Sequence, residues 1–140
     1  PLRPSEVGLT DKEERDLATS VSLTNNNEGQ IRYFINLAEA SPDLKKKLND
    51  ALVMKGTWDV ALRELNEVAA DLQRLNLDQD RIRKNLRETP KEAEVYQTYL
   101  KKLSDQEKEI DGLTAKQKKF MRAEFAARKK FENYLANLSD

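Results

Sequence analysis

The 140-residue chain has no cysteine and no histidine. Without cysteine there are no disulfides, no thiol redox chemistry and no thiol nucleophile. Without histidine the general base that works most readily near neutral pH is gone, and with both missing no Cys/His zinc site can be built. Glycine and proline number four each and aromatic residues make up 6% of the chain. No phosphate-binding glycine loop, dinucleotide glycine pattern or serine nucleophile elbow occurs. No apolar run approaches the ~18 residues of a membrane span, and no secretory signal is visible. A soluble segment of unassigned compartment is therefore expected. Because the chain begins at Pro1 rather than Met, we expect a piece of a longer protein. Neither sign of charge dominates, since 25 Lys and Arg balance 25 Asp and Glu.

What the chain does have is charge: 36% of its residues, with a mean hydropathy of −0.84. A globular domain carries about 25%. Disorder is the rival reading for such a chain, but disorder favours a high net charge and lacks apolar periodicity. Periodicity is present, so the expected shape is elongated and helical.

Residues 1–24 read as an irregular acidic tail. Within it Leu17, Thr19, Val21 and Leu23 alternate with small or polar residues, a period-two pattern. That stretch is either a remnant strand of a preceding β domain or a linker that happens to alternate. Asn25, Asn26 and Asn27 are turn and capping residues. Ile31, Phe34, Ile35 and Leu37 then follow at helical spacing, giving a short base helix within 25–40. So short a helix is marginal alone and needs a surface to pack on.

Ser41-Pro42-Asp43 is a helix start, with a capping hydroxyl, proline at the first helical position and an acid in the first turn. Thr89-Pro90-Lys91-Glu92 repeats the signal as a capping box. Residues 41–140 should thus form two long helices with a turn near 88–90. In the second, Tyr96, Tyr99, Leu103, Gln106, Ile110, Leu113, Gln117, Phe120, Glu124, Ala127, Phe131, Tyr134 and Leu138 alternate steps of three and four. Ten of these thirteen seam positions are apolar or aromatic. A sustained repeat of this kind needs a partner helix along its length. Leu44, Leu48, Ala51, Trp58, Leu62, Leu65, Ala69 and Leu72 supply one, with polar interruptions at Lys55, Asn76 and Gln79 and a phase slip at Leu75, Ile82 and Leu86. A tight turn makes the pair antiparallel, placing Trp58 near Phe120 and Leu48 near Phe131. Each arm would be about 70 Å long at a rise of about 1.5 Å per residue. Surplus large apolar residues near the base give the short helix a dock, hence a three-helix base. The fold class expected is all-α: a long antiparallel two-helix coiled-coil hairpin, a short third helix at its base, and an irregular or single-strand N-terminal tail.

Candidate sites are few. The stretch 116–130 holds seven cations, Lys116, Lys118, Lys119, Arg122, Arg128, Lys129 and Lys130, against Glu124 alone. It suits phosphate, in nucleic acid or on an anionic surface. It equally suits a solvated helix face, and with zero net charge the nucleic-acid reading is the weaker one. The tip, 78–94, mixes both signs and reads as an exposed turn with local ion pairs. Polar seam residues fix register more readily than they bind ligands. Gly56 either admits a close neighbour beside Trp58 or is merely tolerated. Acid pairs such as Glu107 and Asp111 lack any base or pocket, so no catalysis, cofactor, metal or small-molecule substrate is expected.

The segments 79–86 (QDRIRKNL), 99–103 (YLKKL), 106–110 (QEKEI) and 40–45 (ASPDLK) resemble the C-terminal helical part of bacterial proteins with a β-rich domain of unknown function, related to mucoidy-inhibitor-like proteins. The likeness covers roughly residues 17–138. It implies a coiled-coil hairpin following a β domain, and it brings no activity, cofactor or catalytic residue. The function expected is a non-enzymatic helical interaction or spacer module of a larger bacterial protein, with an unidentified protein partner. The alternatives are nucleic-acid or anionic-surface binding through 116–130, and a homodimerisation device that pairs two hairpins.

Overall fold

The computed structural model describes residues 9–23, 27–37 and 41–138. Over that range the chain is all-helical: α1 (Asp11–Leu23), α2 (Glu28–Leu37), α3 (Pro42–Arg87) and α4 (Glu94–Ala136). The long helices α3 and α4 pack together. The chain divides into a first unit, residues 1–61 with 124–140, and a second unit, residues 62–123. The expectations for residues 1–8 and for Asn25 and Asn26 lie outside the described residues.

The tail is corrected from 11 onward. Residues 17–23 are neither strand nor linker but the second half of α1. Its start is signalled by Thr10-x-x-Glu13: the Glu13 N–H donates to Thr10 Oγ1 at 3.1 Å, and the Glu14 N–H donates to the Thr10 carbonyl at 2.9 Å. Asp11, Glu13 and Glu14 in the first turn suit the positive end of the helix dipole. Leu17 and Val21 satisfy the period-two pattern, yet together with Ala18, at i, i+1 and i+4, they also make one helix face. Ala18 and Val21 are buried on it. Burial against other helices decided between two periods that the sequence left degenerate.

Asn27 caps α2 reciprocally. Its side chain accepts from the Gln30 N–H at 2.9 Å, and its own N–H donates to Gln30 Oε1 at 3.4 Å. Ile31 is fully buried, while Phe34 and Ile35 pack against the core. Ser41 caps α3, accepting from the Leu44 N–H at 3.5 Å through Oγ and from the Lys45 N–H at 2.9 Å through its carbonyl. The same hydroxyl donates to Glu14 Oε1 at 2.5 Å, tying α1 to the start of α3.

The core of the first unit therefore draws on four helices, not three. Ala18 and Val21 of α1 and Ile31 of α2 are buried together with Leu44, Leu48 and Ala51 of α3 and with Phe131, Leu135 and Leu138 near the end of the chain. Each large side chain there is worth roughly 1.5–3 kcal/mol of burial before entropy is subtracted. Trp58 meets Phe131 at a ring-centroid distance of 5.8 Å, not Phe120, and the Tyr134 hydroxyl donates to the Lys47 carbonyl at 2.9 Å. Gly56 admits no close neighbour, because a Cβ placed there would meet nothing within 4 Å.

Along α4 and the turn that follows it, every one of the thirteen expected seam positions is buried or half-buried. On α3 the buried and half-buried stripe runs Leu44, Leu48, Ala51, Lys55, Trp58, Ala61, Leu65, Val68, Leu72, Leu75, Gln79, Ile82 and Leu86. The phase slip thus falls at Trp58 to Ala61, where two steps of three follow one another, and not at Leu75. Leu62 and Ala69, expected in the seam, are exposed.

The corner also differs from expectation. The helix α4 begins at Glu94, so residues 88–93 form the connection rather than 88–90. Thr89 does not cap α4. Its hydroxyl donates to the Asn85 carbonyl at 2.6 Å and so finishes α3, while the Ala93 N–H closes a turn onto the Pro90 carbonyl at 3.0 Å.

Candidate functional site

All seven expected cations stand on α4, at 116–122 in the second unit and at 128–130 in the first. Six are exposed and Arg128 is half-buried. An α-helix turns about 100° per residue, so the seven cannot share a face. Lys116 and Lys130 fall on one flank of the seam, Lys118, Lys119, Arg122 and Lys129 on the side away from it, and Arg128 on the other flank. Several are already engaged. Lys116 lies 5.5 Å from the Phe120 ring centre, while Arg128 and Lys129 lie 5.5 and 5.7 Å from that of Phe125. Arg128 pairs with Glu124 at 3.3 Å and Lys129 with Glu132 at 3.9 Å. The Arg128–Glu124 contact is an ion pair without hydrogen-bond alignment, since the buried Nε and Oε2 atoms have no hydrogen-bond partner.

The second unit holds a more organised polar arrangement. Gln79 and Gln106 are seam residues, 3% and 6% exposed. Gln79 Nε2 donates to Glu107 Oε1 at 3.1 Å and its carbonyl accepts from Arg83 Nη2 at 3.1 Å. Arg83 also pairs with Glu107 at 3.8 Å. Gln106 Nε2 donates to Asp78 Oδ2 at 2.5 Å, and Asp78 accepts from Arg81 Nε at 2.9 Å. The Arg81 hydrogen bond, helped by that from Gln106, holds the Asp78 carboxyl below its ordinary 3.8. The bonds Gln79–Glu107 and Gln106–Asp78 and the Arg83–Glu107 pair cross from α3 to α4, the kind of contact by which polar seam residues set register. The cost is visible too: Gln106 Oε1 is buried with no partner.

Beside this layer lies an open groove of about 930 Å³, lined by Leu75, Leu77, Asp78 and Arg81 of α3 and by Lys102 and Glu109 of α4, among others. Leu77 is 64% exposed. Reasoning from the sequence missed this surface. Its signal was available: Leu77 falls off the apolar stripe, and Lys102 and Glu109 stand seven positions apart on the outer side of α4.

Glu107 of the Glu107 and Asp111 pair accepts from Gln79 and pairs with Arg83. Among the described residues no group of three or more acids could hold a metal ion, and no helix is long and apolar enough to cross a membrane. Compared with protein-family models, curated proteins and solved structures, the chain matches none.

Proposed function

We propose that this chain is a non-enzymatic interaction or spacer module of a larger bacterial protein, an antiparallel coiled-coil hairpin on a helical base that engages a protein partner. The observation that carries this reading is the display of large apolar side chains away from the seam. Val53 is 70% exposed, Leu77 64%, and Met121 and Phe125 54% each. Single exposed apolar residues are ordinary. Four large ones on two helices that already fill their own seam are surface in excess of what folding uses, and such side chains anchor protein interfaces. Support for the hairpin comes from the buried or half-buried seam positions of α4 and from the cross-helix bonds of Gln79 and Gln106. Phosphate binding through 116–130 is the weaker reading, because Arg128 and Lys129 already pair with Glu124 and Glu132 and Lys116 lies over the Phe120 ring.

Photo-crosslinking in cells tests the proposal. A crosslinking residue placed at Val53, Leu77, Met121 or Phe125 should yield a discrete protein adduct, whereas one at exposed Lys101 or Lys108 should not. Adducts that are equal at all six positions, or absent from all, remove the interaction reading.

A further inference from the structure

We propose that the groove in the second unit receives the same groove of a second copy of this chain, turned end for end, so that the module is an isologous homodimer. This rests on the interaction-module reading and names its partner. The argument is one of charge and symmetry. Lys102 and Glu109 line the groove on α4, both are exposed, and neither has an ion-pair partner within 4.0 Å among the described residues, Lys102 acting on the Asp78 carboxylate only at longer range. They sit seven positions apart, two helical turns, on the same side of the helix. A two-fold axis crossing the helix midway between them lays an antiparallel α4 alongside, and Lys102 of each copy then meets Glu109 of the other. One symmetry operation satisfies both unpaired charges twice, as a self-complementary interface requires.

The rest of the groove agrees. Its remaining charges are engaged within the chain: Arg81 with Asp78 at 2.8 Å, Arg74 with Asp71 at 3.4 Å and Asp105 with Lys101 at 4.0 Å. They therefore neither demand nor repel a partner strongly. Leu77, the most exposed leucine among the described residues, lines the groove and would be covered by the second copy. The chain as a whole has 25 charges of each sign, so no long-range repulsion keeps two copies apart.

Sedimentation equilibrium on the full chain, with a charge-reversal cycle, tests this. The wild type should associate reversibly to a dimer that weakens as salt is raised. Lys102→Glu alone sets two Glu–Glu contacts against each other, and Glu109→Lys alone sets two Lys–Lys contacts; each should weaken association about tenfold. The double reversal should return it to within about threefold of wild type. Leu77→Asp should abolish association while leaving the helical circular dichroism unchanged, since the side chain is largely in solvent. A wild type that stays monomeric at about 0.5 mM, or a double reversal no better than the singles, overturns the second copy as occupant. In the first case discrete crosslinks from Leu77 to a different protein would leave the interaction reading standing, and their absence at every position would remove both.

Discussion

Phe131 is the residue whose loss should tell most about the first unit. It is 3% exposed, sits in the common core and meets the only tryptophan, Trp58, at 5.8 Å. Removing a buried phenylalanine ring forfeits its transfer free energy and leaves a cavity, together about 3–5 kcal/mol. Phe120, which the sequence places opposite Trp58, is only half-buried and carries Lys116 over its ring. Phe120→Ala should cost about 1–2 kcal/mol by the area it leaves exposed. The two variants differ further in what Trp58 reports. Phe131→Ala opens the indole to water, so native emission should move to longer wavelength, and Phe120→Ala should leave it unchanged. Urea unfolding followed in parallel by Trp58 fluorescence and circular dichroism supplies both numbers. If Phe120→Ala shifts the emission and Phe131→Ala does not, the alignment of α3 with α4 described above is wrong. Equal losses of stability would refute the burial argument.

Four other outcomes follow from single contacts. Glu124→Leu should lower stability by about 1–2 kcal/mol in urea melts, because it leaves the buried Nε of Arg128 without the carboxylate it pairs with. Gly56→Ala should stabilise by about 0.5–1 kcal/mol, there being open space for the methyl group and a helix to stiffen. Ser41→Ala should cost about 1 kcal/mol and raise amide exchange in α1, since the hydroxyl both caps α3 and holds Glu14. In an NMR titration Asp78 should ionise below 3.8, chiefly through the Arg81 hydrogen bond; the stability it lends is present above the unfolded value and lost as pH falls through the depressed one, and Arg81→Ala should move the midpoint back up.

How much of this was legible depended on whether a signal had one physical reading or two. The α4 seam had one. Apolar residues stepping by three and four for six heptads cannot be buried by any element but a helix, and each of the thirteen positions is buried or half-buried. Leu17 to Leu23 had two readings, since small and β-branched residues at alternate positions satisfy a strand while Leu17, Ala18 and Val21 satisfy a helix. The Thr10-x-x-Glu13 box in front of them was the deciding signal. Thr89-Pro90-Lys91-Glu92 misled for the opposite reason. The capping residues are real, but a hydroxyl can serve only one helix end well, and Thr89 gives its proton to Asn85. The groove was the least legible feature. Its partners lie on two helices whose relative alignment is set by Gln79 and Gln106, so pairing Leu77 with Lys102 and Glu109 needs coordinates.

The slip on α3 shows why the alignment could not be had from the sequence. Leu62 and Ala69 continue the stripe of Leu48 and Ala51 as well as Ala61 and Val68 do, and each choice keeps Leu65 and Leu72 in place. The two registers differ only in which neighbour of a shared residue turns inward. Apolar content does not choose between them. Adopting Ala61 and Val68 leaves Leu62 and Ala69 in water, yet it brings Leu75, Gln79, Ile82 and Leu86 onto one stripe with no further break. The alternative keeps Leu62 covered but strands Leu75 and Ile82 away from α4, and places Asn76 in the seam. Two steps of three overwind the pair locally, a small strain set against two large side chains buried instead of one. The polar layer joins the two helices on the observed stripe, where Gln79 reaches Glu107 and Gln106 reaches Asp78.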